Sequence, residues 1–277
     1  MKADALLREF WGQLQDTEHE IYFKEMYNRN CYLLRQVMGL MPSGRVLDVG
    51  ASPGHLLWLF RHAGYEVAGI DLFPDAPFLP ASALPRKDLF REFNLPVVQT
   101  DAQVSPLPFG DNTFDVVFFC EMLEHLTGSP ALILSEIRRV LRDGGRVYIT
   151  TPNVVALRNR IRMLLGLNIH TSVEILYNVA PYKRHNREYT LSEVVDVVSR
   201  AGLRVVRREH HIFQNPARYS DSAVTNLIRI ILKLCYYTAT IPMPSLRSSI
   251  FVAAEKSVGA DPCVCPKTGR THRFIPA

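Results

Sequence analysis

Apolar positions recur at helical spacing through the first ~40 residues, with Tyr32, Leu33, Leu34, Val37, Met38 and Met41 on the repeat. Pro42-Ser43-Gly44 then breaks the pattern. Residues 45–50, Arg-Val-Leu-Asp-Val-Gly, form a short apolar run ending in glycine, which predicts a strand. A helix follows over 55–63, closed by Gly64, and strands are predicted over 66–71 and 97–100. Residues 115–120 are almost continuously apolar, which predicts a strand buried on both faces. A helix over 131–141 carries Leu134, Ile137, Val140 and Leu141 on one face. Asp143-Gly144-Gly145 turns the chain into a fifth strand over 146–150. Later come a helix over 191–201, a strand over 203–207, a helix over 223–237 and a last strand over 248–255.

Strands alternating with helices at this spacing imply a parallel sheet covered on both sides. The expected fold is therefore α/β, a Rossmann-like doubly wound, seven-stranded, mostly parallel sheet. Residues 1–256 are read as one domain, with helices over 1–43 and a tail over 257–277. The interval 152–189 is long for a connection, and a long insert beside a ligand crevice is expected to be a helical lid.

Composition changes this picture little. The chain has 277 residues, 47% hydrophobic and 21% charged, enough for a packed core. The net charge of +5 is a mild excess and only a thin footprint for nucleic acid. Five scattered cysteines do not form a disulfide framework. The first 20 residues lack a signal core and no apolar run reaches the ~18 residues of a membrane span, so a cytoplasmic protein is expected.

Chemistry is sought at the strand ends, because doubly wound sheets bind ligands there. Asp48-Val49-Gly50-Ala51-Ser52-Pro53-Gly54 ends the first strand, and its glycines allow a sharp turn and close approach to a ligand. A dinucleotide site needs Gly-x-Gly-x-x-Gly, whereas here the spacing is Gly-x-x-x-Gly with Ser52 between. Asp48 repels a pyrophosphate but suits a ligand carrying amine and sulfonium groups. Asp71 ends the second strand, where a carboxylate accepts hydrogen bonds from ribose hydroxyls. Asp101 follows the third and is placed to accept from an adenine amino group. A buried loop-fixing acid, a helix cap and a turn residue are the plainer readings of these three.

In this order the motifs resemble class I S-adenosylmethionine (SAM)-dependent methyltransferases, of the type that includes ubiquinone-biosynthesis and sugar or polysaccharide O-methyltransferases. The stretches are 47–54, Gly69-Ile70-Asp71, Leu107-Pro108-Phe109 through Phe114-Asp115-Val116-Val117, Glu121-Met122-Leu123-Glu124-His125-Leu126 and 139–145. Ser52-Pro53 departs from the usual glycine-rich pattern. The resemblance implies SAM as cofactor, Asp48 near its amino group, and Gly50, Ala51, Ser52 and Gly54 along the methionine part. It further implies Asp71 with Leu72 at the ribose, Asp101 with Ala102 at the adenine, and Cys120 on the methionine side.

Methyl transfer needs an aligned nucleophile, exclusion of water and, for a hydroxyl, a base. Glu121, Glu124 and His125 stand at the mouth, the two glutamates sharing a face if a helical turn begins there. His125 is a candidate general base, and the trio is a candidate site for Mg²⁺, Mn²⁺ or Zn²⁺. Asn153 is read as orienting a substrate hydroxyl or capping a helix, and His185 and Arg187 as meeting the acceptor. Thr190 with Glu193 also spells a capping box. The insert mixes Arg158, Arg160, Arg162, Lys183 and Arg184 with Met163, Leu164, Leu165, Ile175 and Leu176, which suits a small or lipid- or glycan-linked acceptor and leaves peripheral membrane contact open. Nucleic-acid and protein acceptors, or a non-catalytic SAM-binding subunit, are the alternatives. Cys263, Cys265 and His272 in the tail form at most a partial zinc set.

Overall fold

The computed structural model describes residues 3–72, 88–213 and 234–258. The expected tail cysteines, and most of the helix expected over 223–237, lie outside the described residues; within that region 234–240 is helical. Seven strands form one sheet in the order β3-β2-β1-β4-β5-β7-β6. These are β1 (Arg45–Val49), β2 (Glu66–Asp71), β3 (Val97–Gln99), β4 (Phe114–Cys120), β5 (Leu141–Pro152), β6 (Arg204–His211) and β7 (Ser249–Glu255). β1 to β5 pair in parallel, and β7 lies antiparallel to both β5 and β6. β1 pairs with β2 on one side and β4 on the other, so the strand order reverses between β1 and β4. That reversal opens a crevice beyond their carboxyl ends, where Asp48 and Cys120 stand.

The helices cover the sheet unequally. On one face α1 (Ala3–Leu14) and α2 (His19–Leu40) pack on α3 (His55–His62). Their contact is aromatic: Phe10 stacks on Trp58 at 4.3 Å and meets Phe23 edge-on at 5.1 Å. A short α4 (Leu89–Glu92), capped by Asp88, leads into β3. The other face is covered by α5 (Ala131–Val140) and α8 (Leu191–Arg200), which bury Leu134, Ile137, Val140, Val194 and Val198. β4 supplies Val116 and Phe118 to the first core and Val117 and Phe119 to the second, the two-sided burial that its unbroken apolarity predicts.

Two strands run longer than expected. β5 begins at Leu141, because Asp143-Gly144-Gly145 forms an irregularity inside the strand. Gly144 sits at φ 75°, and a Cβ on Gly145 would come within 2.8 Å of the Arg142 carbonyl. β6 continues to His211, its polar second half being held by pairing with β7 rather than by apolar burial.

The 152–189 insert is helical, with α6 (Leu157–Leu164), α7 (Val173–Asn178) and a 3₁₀ turn at Pro181–Lys183. Neither α6 nor α7 has a buried residue. The stems of the insert meet in a bridge between Asn153 and Tyr189, closed by Val154 N–H donating to the Tyr189 carbonyl at 3.0 Å.

Candidate active site

Beyond β1, β2 and β4 lies a cavity of about 570 Å³, within the range typical of small-molecule sites. Its floor is the turn after β1. Gly50 has φ 82°, and a Cβ there would fall 2.2 Å from the Met122 sulfur, so only glycine fits. Gly50 and Ala51 N–H groups both donate to the Ile70 carbonyl, and Ser52 N–H donates to the Asp71 carboxylate at 3.0 Å. Gly54, at φ 95°, starts α3 and shapes the turn without lining the cavity. Asp48, Gly50, Ala51, Ser52, Asp71, Leu72, Asp101, Ala102, Cys120, Glu121 and His125 all line it. Asp101 also accepts from Gln103 N–H at 2.9 Å, so its turn role and its place on the wall coexist.

The N-terminal helices contribute more than the sequence reading foresaw. Tyr22 and Arg29 of α2 and His55 of α3 line the cavity beside Asp48. Arg29 is only 6% exposed. Burial works against its charge, but its pKa lies above the usual arginine value because the acidic groups around it ionise before it loses its proton, so the guanidinium stays protonated. The signal was available: α2 buries Phe23, Met26, Leu33 and Val37, and an arginine beside that stripe is out of place on a plain packing face. Burial pushes the Asp48 carboxyl up to about 8, with Asp71 adding to the rise and Arg29 opposing it. Burial likewise lifts the Cys120 thiol to about 12 and keeps it un-ionised.

At the other rim, Glu121 leaves β4 with φ 53° and Leu123–His125 form a 3₁₀ turn. The two glutamates do not share a helical face as expected. Glu121 accepts from the Thr150 hydroxyl at 2.8 Å and Glu124 from the Thr151 hydroxyl at 2.9 Å. These threonines are consecutive in β5 and point to opposite faces, which separates the carboxylates. Among the described residues, the ligand-capable atoms lying within 4.8 Å of one another belong to Glu124, His125 and His185, in place of the expected Glu121, Glu124 and His125. Glu124 is fully buried, its Oε1 has no hydrogen-bond partner among the described residues, and burial and Glu121 push its pKa well up.

His125 has its Nδ1 3.0 Å from the Arg184 carbonyl. A carbonyl only accepts, so Nδ1 carries the proton and Nε2 keeps its lone pair. Burial and the neighbouring His185 ring, 4.9 Å away, lower the imidazole pKa to about 4. The insert is fastened here: Asn186 donates its backbone N–H to the Glu124 carbonyl at 2.8 Å and its side chain to the His125 carbonyl at 2.9 Å.

Two expected site residues are engaged elsewhere. Asn153 is 1% exposed and donates to the Ser245 and Arg247 carbonyls while accepting from Val155 N–H, so its amide locks the β5 exit. Arg187 points outward, paired with Glu193 at 2.8 Å and stacked over Tyr189. His185 accompanies His125 but does not line the cavity, and its Nδ1 lies 3.1 Å from Glu188. From the insert, Val179, Tyr182 and Lys183 reach the cavity wall instead.

A cavity at the switch point of this sheet order, with a glycine turn after β1 and an acid ending β2, defines the class I methyltransferase fold. A family profile described as a methyltransferase domain matches residues 22–208. The chain belongs to this family and is a SAM-dependent methyltransferase. Among curated relatives, the ubiquinone biosynthesis O-methyltransferase of Aeromonas salmonicida is 29% identical over 212 residues, covering 74% of this chain and 80% of that protein. Its namesake in Paracidovorax citrulli is 32% identical over 172 residues, covering 60% and 64%. Among solved structures, a SAM-dependent methyltransferase from Archaeoglobus fulgidus has a TM-score of 0.51 at 17% identity, covering 86% of this chain and all of that one. An S-adenosylmethionine-dependent methyltransferase from Mesorhizobium loti reaches 0.53 at 15% identity, covering 82% and 97%. At these identities the structural likeness speaks for the fold.

Proposed function

We propose that this enzyme methylates a hydroxyl oxygen on a small or lipid- or glycan-linked acceptor by in-line transfer from SAM. The observation carrying this reading is His125, held by the Arg184 carbonyl so that an unprotonated Nε2 belongs to the cavity rim. With SAM bound to supply the methyl group, an acceptor hydroxyl there would pass its proton to His125 Nε2. The curated relatives, named O-methyltransferases, support oxygen as the acceptor atom. On this reading Asp48 meets the SAM amine, Arg29 its carboxylate, Asp71 the ribose, and Asp101 with Ala102 the adenine. Gly50, Ala51, Ser52, Leu72 and Cys120 supply the remaining wall.

A second reading is favoured by the orphaned Glu124 Oε1. A divalent cation would be held by Glu124, His125 and His185, a donor set of one carboxylate and two imidazoles that suits Zn²⁺ or Mn²⁺ better than Mg²⁺. When bound it would lower the pKa of the acceptor hydroxyl. His125 Nε2 then ligates and is not available as a base, so the two readings exclude each other.

The test is transfer of labelled methyl from SAM into extract fractions. Label in lipid or glycan, lost by ~10²–10⁴ in His125→Ala and indifferent to chelator, supports the base reading. Loss on chelation, restored by Zn²⁺ or Mn²⁺, supports the metal reading. Label in nucleic acid or protein overturns the acceptor assignment.

A further inference from the structure

Three nitrogen-bearing side chains from distant segments meet in one corner beside Asn153. Arg160 stands in the first turn of α6, His210 near the end of β6, and Arg247 just before β7. Asn153 fixes this corner by donating to the Ser245 and Arg247 carbonyls. Arg160 donates through Nε to the Val155 carbonyl at 2.7 Å and through Nη2 to the Ser245 hydroxyl at 3.3 Å. Arg247 donates through Nη1 to the His210 carbonyl at 3.1 Å. Both guanidinia are thus pinned by uncharged oxygens. None of the three side chains lines the cavity beyond β1, β2 and β4.

Two half-buried guanidinia in one corner repel each other unless an anion stands near them. Among the described residues neither has a carboxylate partner. Burial, Arg247 and Arg160 all depress the His210 pKa, and no acid is among the groups acting on it, so its ring is neutral and keeps one N–H. Arg160 Nη1, Arg247 Nε and Nη2, and the His210 ring nitrogens have no hydrogen-bond partner among the described residues. None of these nitrogens is sealed from water, so a ligand can reach them. The corner therefore combines uncompensated positive charge with open donors on three separate elements.

A planar carboxylate suits a single guanidinium fork, whereas a phosphate presents oxygens to several donors at once and pairs strongly with arginine. The flanks of the corner are apolar. Ile161 and Leu164 follow Arg160 along α6 and are 47% and 86% exposed, while Ile241 and Met243 lead toward Ser245 and are 69% and 50% exposed. A phosphate carried on an apolar body matches both the charge and the flanks. We infer that Arg160, Arg247 and His210 form a binding site for a phosphate ester at the root of the insert, separate from the methyl-donor cavity. The two guanidinia would hold its oxygens, with the imidazole N–H as a further donor. The phosphate belongs either to the headgroup of a bilayer lipid or to a water-soluble ester.

The experiment offers both sources to the full chain in phosphate-free buffer: glycerol phosphate by calorimetry, and phosphatidylglycerol vesicles by flotation. Arg160→Gln and Arg247→Gln are each expected to weaken whichever probe the parent binds by about tenfold or more. Arg158→Gln removes an equal charge from an exposed position on the same helix and is expected to stay within about twofold. Arg160→Lys keeps the charge without the planar fork and is expected to fall between the parent and Arg160→Gln, which separates a lost site from a lost fold. Glycerol phosphate binding with this pattern assigns a soluble ester. Vesicle binding alone, with the same pattern, assigns the lipid headgroup. A parent that binds neither probe, or an Arg158→Gln that weakens binding as much as Arg160→Gln, overturns the inference.

Discussion

Asp48 is an acid in a place that disfavours its charge, and this gives a proton-linked signature. With its carboxyl lifted to about 8, the unliganded side chain is neutral at pH 7. An ammonium beside it favours the carboxylate, so ligand binding at pH 7 releases a proton. Affinity then rises as pH climbs toward 8 and levels off above it, whereas a site whose acid is already ionised shows no change over that range. Calorimetry of S-adenosylhomocysteine in two buffers of different ionisation heat is expected to show up to one proton released, and none in Asp48→Asn. A parent chain that releases no proton removes the amine contact. Asp71 makes a simpler case: Asp71→Ala is expected to cost about 1–3 kcal/mol of ligand affinity if its carboxylate holds the ribose. Unchanged affinity takes it out of the site. Asp48, Asp71 and Asp101 were legible because strand ends in a doubly wound sheet face the crevice. Arg29 left only the trace of an arginine beside the buried stripe of α2, and His55 none, because their place in the cavity follows from how α1 and α2 pack against α3, a long-range matter that local spacing does not report.

At the scale of the element, α8 shows the most direct passage from sequence to structure. Thr190 accepts from Glu193 N–H while the Glu193 carboxylate accepts from Thr190 N–H at 2.8 Å, the reciprocal cap that the spacing predicts. Val194 and Val198 behind it are fully buried. Thr190→Ala is expected to lower stability by about 0.5–2 kcal/mol, read as a shifted urea midpoint at constant slope. No shift would mean that packing alone holds the helix start. β4 was equally legible, since an unbroken apolar run has one structural solution in a covered sheet. The start of β5 was not: Gly144-Gly145 reads as a turn, and only pairing across Phe114 reveals a bulge. The glutamates of the 121–125 motif misled for a related reason. Their spacing suits a helix, but Glu121 at φ 53° stands outside the turn, and β5 threonines decide where each carboxylate goes.

For the whole molecule, the charge and the exposed apolar surface concentrate on the insert. Six arginines and lysines face two glutamates over 152–189, nearly the whole net charge of +5. Arg160, Arg162 and Arg184 donate to carbonyl, hydroxyl or amide oxygens and have no carboxylate partner among the described residues. On the same segment Met163, Leu164, Leu165, Val173 and Tyr177 are each more than 60% exposed. Among the described residues no helix is long and apolar enough to cross a membrane. This combination supports a peripheral approach to anionic lipid. Flotation with phosphatidylglycerol vesicles is expected to carry the chain at low salt and to release it at high salt. Phosphatidylcholine vesicles should carry less, and Leu164→Ser with Leu165→Ser should abolish the effect. Equal recovery with both lipids rules out recognition of anionic charge, and recovery with neither rules out membrane contact.

The bridge between Asn153 and Tyr189 has a further consequence. Because the two stems are clasped at the sheet, the excursion between them is a cassette whose boundaries are already sealed. The entropic cost of closing a loop grows only with the logarithm of its length, each doubling adding about 0.6 kcal/mol. Chain can therefore be lengthened or trimmed around α6 and α7 with little strain on the sheet, while 179–186, which lines the cavity and ties down His125, stays fixed. The outer helices of the insert are thereby free to diverge at a different rate from the sheet that carries the glycine turn.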